Sequence, residues 1–164
     1  MPSDHTDRLA NQATKLALTG FFLGAIAWFS ARLGRRGEDA RPSPFELVQV
    51  GLAAYRTGRV LAYERIAAPL REPFTETRPD VSGYGETVVA AGSGVRRALG
   101  ELLSCPVCIS TWASAALVFG LHLAPRPTRV YLAIMSATGV AELAWSASEA
   151  LGWLGRAARR GAAR

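Results

Sequence analysis

The sequence has few of the residues that soluble enzymes use for catalysis or metal binding. Its 164 residues include two histidines and two cysteines, and no P-loop, dinucleotide fingerprint, HExxH or GxSxG motif is present. Two cysteines cannot build a disulfide framework. These absences give no support to soluble-type catalysis, so the sequence predicts a noncatalytic protein with no catalytic residues.

Lysine is nearly absent, although the chain is strongly basic. Almost all of the 19 basic residues are arginines, and the net charge is +6. The arginines flank apolar blocks, where they are typical of topogenic charges and of attraction to anionic lipid headgroups. No helix-turn-helix, zinc finger or aromatic–basic sheet pattern accompanies them. The sequence therefore predicts the lipid bilayer as a partner and no nucleic acid.

Charge is also missing from long stretches of the chain. Hydrophobic residues make up 49% of it and gather in blocks. One block lies between Lys15 and Arg32, a second between Glu101 and Arg126, and a third covers 130–153. Each is close to the length that a membrane helix needs. The predicted fold class is all-α: a small integral membrane helical bundle of three to four membrane helices, in a bacterial inner (plasma) membrane.

The first block is interpreted as a retained membrane helix. A loose polar tail, 1–14, is predicted in front of it. Cleavage as a signal peptide is the less favoured alternative, because Asp4 and Asp7 dilute the positive start that a signal needs. Gly20 and Gly24 form a GxxxG pair, which is typical of close helix packing.

A second helix is predicted over 45–63, with its start marked by local signals. Ser43 and Glu46 have the spacing of a capping box, and a proline occupies the first helical position. Arg56 and Arg59 lie three residues apart and so share one face. The sequence leaves open whether this helix crosses the membrane or lies in the interface.

Prolines and glycines characterise the segment that follows. They predict a cytoplasmic linker over 64–104 with little regular structure up to residue 94, followed by a short amphipathic helix at 95–103. A membrane hairpin headed by the CPVC motif comes next. The predicted organisation is an N-terminal part, 1–44, with the tail, the first membrane helix and an Arg-rich loop; a core, 45–155; and a basic cytoplasmic tail, 156–164.

Arginine placement predicts the orientation. Short Arg-rich segments stay in the cytoplasm, so the multi-pass chain should have its C-terminus inside, together with Cys105 and the linker. Two arrangements remain for the N-terminal part. If the 45–63 helix crosses, the loop 32–41 with its four arginines is outside; if it does not, that loop is inside and the N-terminus outside. The charge rule favours the second arrangement.

Three pieces of the chain resemble a known family. They are "YRTGRVLAYERIAAPLREPF" (55–74), "RRALGELLSCPVC" (96–108) and the two closing spans. Together they resemble a bacterial membrane family, domain of unknown function 1360, which includes YjcA-like sporulation proteins. The resemblance covers roughly 45–150, implies a membrane protein and brings no known reaction. The matching positions are Arg56, Arg59, Glu64, Pro69, Arg71, Gly100, Glu101, Cys105, Cys108 and Trp112.

The cysteine pair has three possible roles. Cys105 and Cys108 lie on one face at the start of a helix, where the helix N-terminus favours thiolate over thiol. A structural role is preferred; a thiol redox role is the alternative, and on the cytoplasmic side the pair should rest reduced. Metal binding within one chain is not expected, because zinc wants four ligands and His122 is 14 residues away. A four-thiolate zinc site across a homodimer remains a further alternative, and no other cofactor is predicted.

Glu142 is the second candidate, near the middle of the last apolar block. A carboxylate in that position is costly and points to a function by default. A structural ion pair with Arg56 or Arg59 is preferred over a proton or ion pathway, because such pathways usually recruit several acids. His122 is interpreted as an interfacial polar residue, and Trp28, Trp145 and Trp153 as anchors in the core or at the membrane interface.

These observations predict a scaffold or accessory subunit that presents its cytoplasmic linker to a partner. The partner is a second copy of the chain or an unidentified membrane or cytoplasmic protein. The first alternative is a membrane thiol redox protein that uses Cys105 and Cys108. The second is a zinc-bridged homodimer.

Overall fold

Helices dominate the structure, a computed structural model that describes residues 2–36, 42–79 and 86–162. A small antiparallel hairpin is inserted between the second and the fourth α-helix. The elements, in chain order, are α1 (Pro2–Arg36), α2 (Pro44–Tyr63), a 3-10 turn (Arg65–Ala67), α3 (Ala68–Arg71), β1 (Thr75–Pro79), β2 (Glu86–Ala90), α4 (Gly94–Leu103), α5 (Pro106–Leu123) and α6 (Pro125–Ala162).

Three of these helices are long and apolar enough to cross a membrane. They cover His5–Arg35, Pro106–Leu123 and Pro125–Arg160, and little of their apolar surface is buried inside the protein. Apolar surface that the fold leaves exposed along a whole helix is the pattern of a helix with lipid as its solvent. The predicted fold class, a small all-α membrane bundle, is confirmed by these lengths and compositions.

Helix α2 lies at the centre of the bundle, between α5 and α6. Its small buried residues Ala53 and Ala54 form a core with Val50, with Leu117 of α5 and with Leu132 of α6. Close approach is possible because glycines face the neighbouring backbones: a Cβ at Gly58 would lie 2.5 Å from the Pro106 carbonyl, and one at Gly139 would lie 3.0 Å from the Leu52 carbonyl. Small residues at contact points are how membrane helices gain packing energy.

The contacts also fix the helix directions. The start of α2 meets the start of α6 through Glu46 and Arg129, while its second half meets the start of α5 through Gly58 and Pro106. Helix α2 therefore runs parallel to α6 and antiparallel to α5. Helix α1 runs parallel to α5, because Phe22 packs on Trp112 and Phe29 packs on Phe119.

These four directions agree with the first of the two predicted arrangements, in which the helix 45–63 crosses the membrane. In that arrangement the N-terminus, the segment 64–104 and the C-terminal end of α6 share one side of the bundle. The arrangement that the charge rule favours would place the N-terminus on the opposite side. The rule counted only the loop 32–41, whereas helix packing is decided by contacts along the whole length of each helix.

Two segments that were predicted to be irregular are ordered. The predicted loose tail, 1–14, is helical from Pro2 onward as part of α1; proline suits a first helical turn, and acidic residues near a helix start interact favourably with its dipole. The predicted irregular stretch 64–94 contains a 3-10 turn, α3, β1 and β2. Both predictions were wrong because they followed composition, whereas tertiary contacts stabilise these segments.

The boundaries of α6 also differ from the prediction. The "APRPTR" segment was predicted to be a turn, but only Ala124 separates α5 from α6, and α6 begins at Pro125. Prolines in a first turn cost no hydrogen bond, since those amides have no partner in the helix. The basic tail predicted from residue 156 continues α6 through Ala162.

The hairpin packs on the short helix α4. Strands β1 and β2 pair antiparallel with Thr77 opposite Val88. Half of their ten residues are β-branched, which is typical of pleated structure. Helix α4, predicted over 95–103, is confirmed at Gly94–Leu103. Gly100 makes the contact possible: a Cβ there would lie 2.2 Å from the Phe74 carbonyl oxygen.

Candidate functional site

An ionic network joins α2 to α6. One carboxylate oxygen of Glu142 lies 3.3 Å from a terminal nitrogen of Arg56, and the other contacts Nε of Arg59. Arg56 also pairs with Glu64, the C-cap residue that follows α2. The sequence predicted an ion pair between Glu142 and one of two arginines. The structure brings Glu142 into contact with both, and Glu64 joins them through Arg56.

The network lies at the CPVC end of the bundle. Arg56, which holds Glu142, is two residues from Gly58, which abuts Pro106 at the start of α5. Along α6, Glu142 is 17 residues after Pro125, or about 26 Å at 1.5 Å per residue. Glu142 is therefore level with the start of α5, close to the middle of the candidate span Pro125–Arg160.

Arg71 caps the C-terminal end of α2. Its guanidinium is buried and donates hydrogen bonds to the backbone carbonyls of Glu64 at 2.6 Å and of Leu61 and Tyr63 at 3.4 Å. The last carbonyls of a helix have no partner within it and carry partial negative charge. Pro69 lies in the first turn of α3, the helix that carries Arg71. The chain after α2 is therefore tied back to that helix.

Glu101 connects α4 to the first helix. It forms ion pairs with Lys15 of α1 and, one turn earlier in its own helix, with Arg97. The hydrogen bond from Lys15, helped by Arg97, holds the pKa of the Glu101 carboxyl below its usual value. A carboxyl with a lowered pKa stabilises the folded state above its ordinary pKa, and that contribution disappears as the pH falls through the lowered value. The contact between α1 and α4 should therefore be strongest near neutral pH.

The cysteines head α5, where local signals predicted the helix start. Cys105 is the N-cap, Pro106 follows it, and the Cys105 sulfur accepts the backbone N–H of Cys108 at 3.3 Å. The two sulfurs lie at bonding distance, with the Cα atoms 5.3 Å apart. The tight first turn of α5 brings the two side chains to a disulfide-like separation. The reduced resting state of the pair stays a prediction.

Aromatic side chains join α1 to α5. The centroids of the Trp112 and Phe22 rings are 4.9 Å apart. Nδ1 of His122 donates a hydrogen bond to the Val118 carbonyl at 2.9 Å, and the His122 ring meets Phe29 edge-on. The three other tryptophans, which were predicted to be core or interface anchors, are exposed on the bundle surface: Trp28, Trp145 and Trp153.

The described residues 2–36, 42–79 and 86–162 contain no group of three or more His, Cys, Asp or Glu side chains placed to hold a metal ion. A site shared by two chains needs only the two thiolates of each copy, so the zinc-bridged homodimer stays a prediction.

Several residues of the site could not be found from the sequence. In the sequence, Lys15 marks only the boundary of the first apolar block, yet it pairs with Glu101, 86 positions away. Ser110 donates a hydrogen bond to the Ala54 carbonyl at 3.0 Å, and Thr57 shares one with Tyr131 at 2.7 Å. No local spacing connects these pairs. The one available signal was a glycine, Gly58, which marks where α5 crosses α2.

Taken together, the fold and the site define a small helical bundle with three candidate membrane-spanning helices, in which the hairpin and α4 are fixed to one end of the bundle. The family model described as "Protein of unknown function (DUF1360)" matches residues 49–147. The chain belongs to this family, as the resemblance predicted. The matched range contains every one of the predicted motif positions and excludes α1.

One curated relative is similar over much of the same range. The "Sporulation protein YjcA" of Bacillus subtilis (strain 168) is 35% identical over 98 residues, which cover 58% of this chain and 83% of the relative. No solved structure matches the chain.

Proposed function

We propose that the chain is a noncatalytic membrane scaffold or accessory subunit that holds the segment 64–104 in a fixed position and presents it to a partner protein. The observation that carries the proposal is the buried Arg71 guanidinium on the last carbonyls of α2. A linker that only connects two helices has no need of such an attachment, because closing a flexible loop of this length costs little.

The surface of the segment is suited to binding a protein. Strand β1 is exposed from Glu76 to Pro79, and the Phe74 carbonyl bonds the Ala91 amide. Because hydrogen-bonded pairs alternate in an antiparallel ladder, the backbone groups of Thr77 point away from β2. An exposed strand edge of this kind is a ready site for another extended chain.

The proposal includes the side of the membrane. Among the described residues, segments on the CPVC side (2–15, 56–79, 86–104 and 156–162) contain twelve basic residues, and segments on the other side (32–36 and 126–129) contain five. The excess supports a cytoplasmic position of the CPVC side and of the C-terminus in a bacterial inner membrane. It also offsets the three arginines at the end of α1, which a crossing α2 places outside.

In-cell photocrosslinking tests the proposal. A photoreactive residue at Thr77, on the outer edge of β1, should give a discrete adduct with a second protein. The matched control is Phe45, which is equally accessible at the opposite end of α2 and should give none. The relative's name suggests sampling both growing and sporulating or starved cells.

Two variants decide how the adduct is interpreted. Arg71→Gln should abolish it by releasing the segment from α2, whereas the double variant Cys105→Ser/Cys108→Ser should retain it. Absence of an adduct at Thr77, or an adduct indifferent to Arg71→Gln, would contradict the scaffold. About half a zinc per chain in the purified protein would instead favour the four-thiolate dimer.

A further inference from the structure

The two cysteines differ in their surroundings. Cys105 is partly buried, and its sulfur accepts the Cys108 backbone N–H at the N-terminus of α5. Cys108 is exposed and lines a groove of about 450 Å³ between α1, α4 and α5, with Lys15, Glu101 and Trp112 in its walls. A sulfur at a helix N-terminus is stabilised as thiolate. Cys105 is thus the better leaving group and Cys108 the more accessible point of attack.

The pair can open and close without rearranging the fold. The Cα atoms are 5.3 Å apart, inside the range of about 4.4–6.8 Å that a disulfide requires. When the pair is reduced to two thiols, the backbone amide of Cys108 can still donate its hydrogen bond to the Cys105 sulfur. Both states of the pair are therefore accessible to the same backbone.

We infer that this pair is a thiol–disulfide exchange site at which an external thiol enters through the groove and attacks Cys108. The incoming thiolate forms a bond to the Cys108 sulfur, the Cys105–Cys108 bond breaks, and its electron pair leaves on Cys105 as thiolate. A second external thiolate then attacks the sulfur of the first, which releases Cys108 as thiolate. Both cysteine thiolates take protons from water. The external pair of thiols is oxidised to a disulfide and the protein disulfide is reduced to a dithiol.

The order of attack follows from the leaving group. Exchange is faster when the departing thiol has the lower pKa, and the helix N-terminus stabilises Cys105 in this position. Attack on Cys105 instead would have to reach a partly buried sulfur. The inference does not rest on the scaffold proposal, which predicts that both cysteines can be replaced without losing the partner.

The reacting group of the ligand is a thiol, carried by a small molecule or by a cysteine-containing polypeptide. Two probes distinguish these sources: glutathione, and a short apolar peptide with one cysteine. If the groove recognises a polypeptide, the peptide should reduce the disulfide at least ten times faster than glutathione does at the same thiolate concentration. Equal rates identify the small-thiol pool as the source.

The test uses the full chain in mild detergent. Equilibration in glutathione buffers, followed by alkylation and mass measurement, should show one reversible two-electron transition. Acid quenching during the reaction should locate the mixed disulfide on Cys108 in at least tenfold excess over Cys105. A pair that is never reduced or never reoxidised would overturn the inference, and so would a mixed disulfide found mainly on Cys105.

Single variants provide the control for folding. Serine is a good N-cap, so Cys105→Ser keeps the start of α5 intact. Cys108→Ser keeps the amide that bonds the Cys105 sulfur. The dependence of the alkylation rate on pH gives the pKa of the remaining cysteine in each single variant. The pKa of Cys105, measured in Cys108→Ser, should lie below the ordinary cysteine value and below the pKa of Cys108, measured in Cys105→Ser. The reverse order would contradict the assigned leaving group.

Discussion

The Arg71 guanidinium donates a hydrogen bond to the backbone carbonyl of Glu64, and the same group reaches the carbonyls of Leu61 and Tyr63. A side chain eight residues beyond Tyr63, the last residue of α2, thus satisfies the end of that helix. This capping contact attaches the start of the segment 64–104 to α2, and the Lys15–Glu101 ion pair attaches its end to α1. The cap also gives a physical reason for an arginine at position 71, because several donors must spread over several carbonyls.

Loss of the cap should loosen the segment. Arg71→Gln leaves buried carbonyls without their donor, and we expect the free energy of unfolding to fall by about 1–3 kcal/mol. Limited trypsin digestion should show faster cleavage within 64–104. The matched control is Arg65→Gln, which removes the same charge from an exposed position and should change neither measurement. Equal effects of the two variants would disprove the capping role.

Gly100 should not tolerate a side chain. In Gly100→Ala the new Cβ meets the Phe74 carbonyl and the Ala90 backbone, so the hairpin must move off α4 at a cost of about 1–3 kcal/mol. Gly51→Ala provides the control, because nothing lies within 4 Å of that Cβ. It should raise stability by about 0.5–1 kcal/mol, since alanine is the better helix former. Thermal unfolding in mild detergent separates the two, and a stable Gly100→Ala protein would refute the predicted contact.

Glu142 should be coupled to Arg59. The single variants Glu142→Gln and Arg59→Gln and the double variant form a double-mutant cycle, in which the free energy of unfolding of each protein is measured. For residues in direct contact we expect a coupling free energy of about 0.5–3 kcal/mol. The same cycle with Glu149→Gln, an exposed acid two turns along α6, should give no coupling. A coupling near zero for Glu142 would show that the ion pair does not hold α2 and α6 together.

The contact between α1 and α4 should weaken in acid. Because Lys15 lowers the Glu101 pKa, this contact stabilises the fold above the ordinary glutamate pKa of 4.5 and loses its effect as the pH falls through the lowered pKa. The protection factors of the α4 amides, which correct the exchange rate for its intrinsic pH dependence, should fall over this interval. Glu101→Gln should have low protection factors in α4 at every pH; a variant that keeps the acid dependence would assign it to another group.

Local signals in the sequence were sufficient for the helix starts. Ser43 and Glu46 form the predicted capping box, with each backbone amide bonded to the other residue's side chain. Cys105 caps α5, at the helix start that the sequence predicted for the cysteine pair. Each of these features depends on residues within four positions of one another. The amphipathic pattern that predicted the helix 95–103 likewise depends only on near neighbours in the chain.

Pairing between distant residues escaped prediction. Strands β1 and β2 are five residues each, and the prolines and glycines around them are equally typical of loops. Each strand is stabilised by the other and by α4, and α4 can pack against the hairpin only because residue 100 is a glycine. Lys15 and Glu101 likewise carry no mark of their pairing. A charge count over one loop also misjudged the direction of α1, because it ignored the aromatic contacts of Phe22 and Phe29.

The sequence by itself determined that this is an all-helical protein with apolar spans, where three of its helices begin, and which family it belongs to. Those properties follow from hydropathy and from hydrogen bonds between near neighbours in the chain. Only the tertiary structure decided that the segment after α2 is folded and attached, that Glu142 meets two arginines at the CPVC end, and that the two sulfurs differ in exposure. Each of these depends on which helix faces which, and that is set by side-chain packing between residues far apart in the chain.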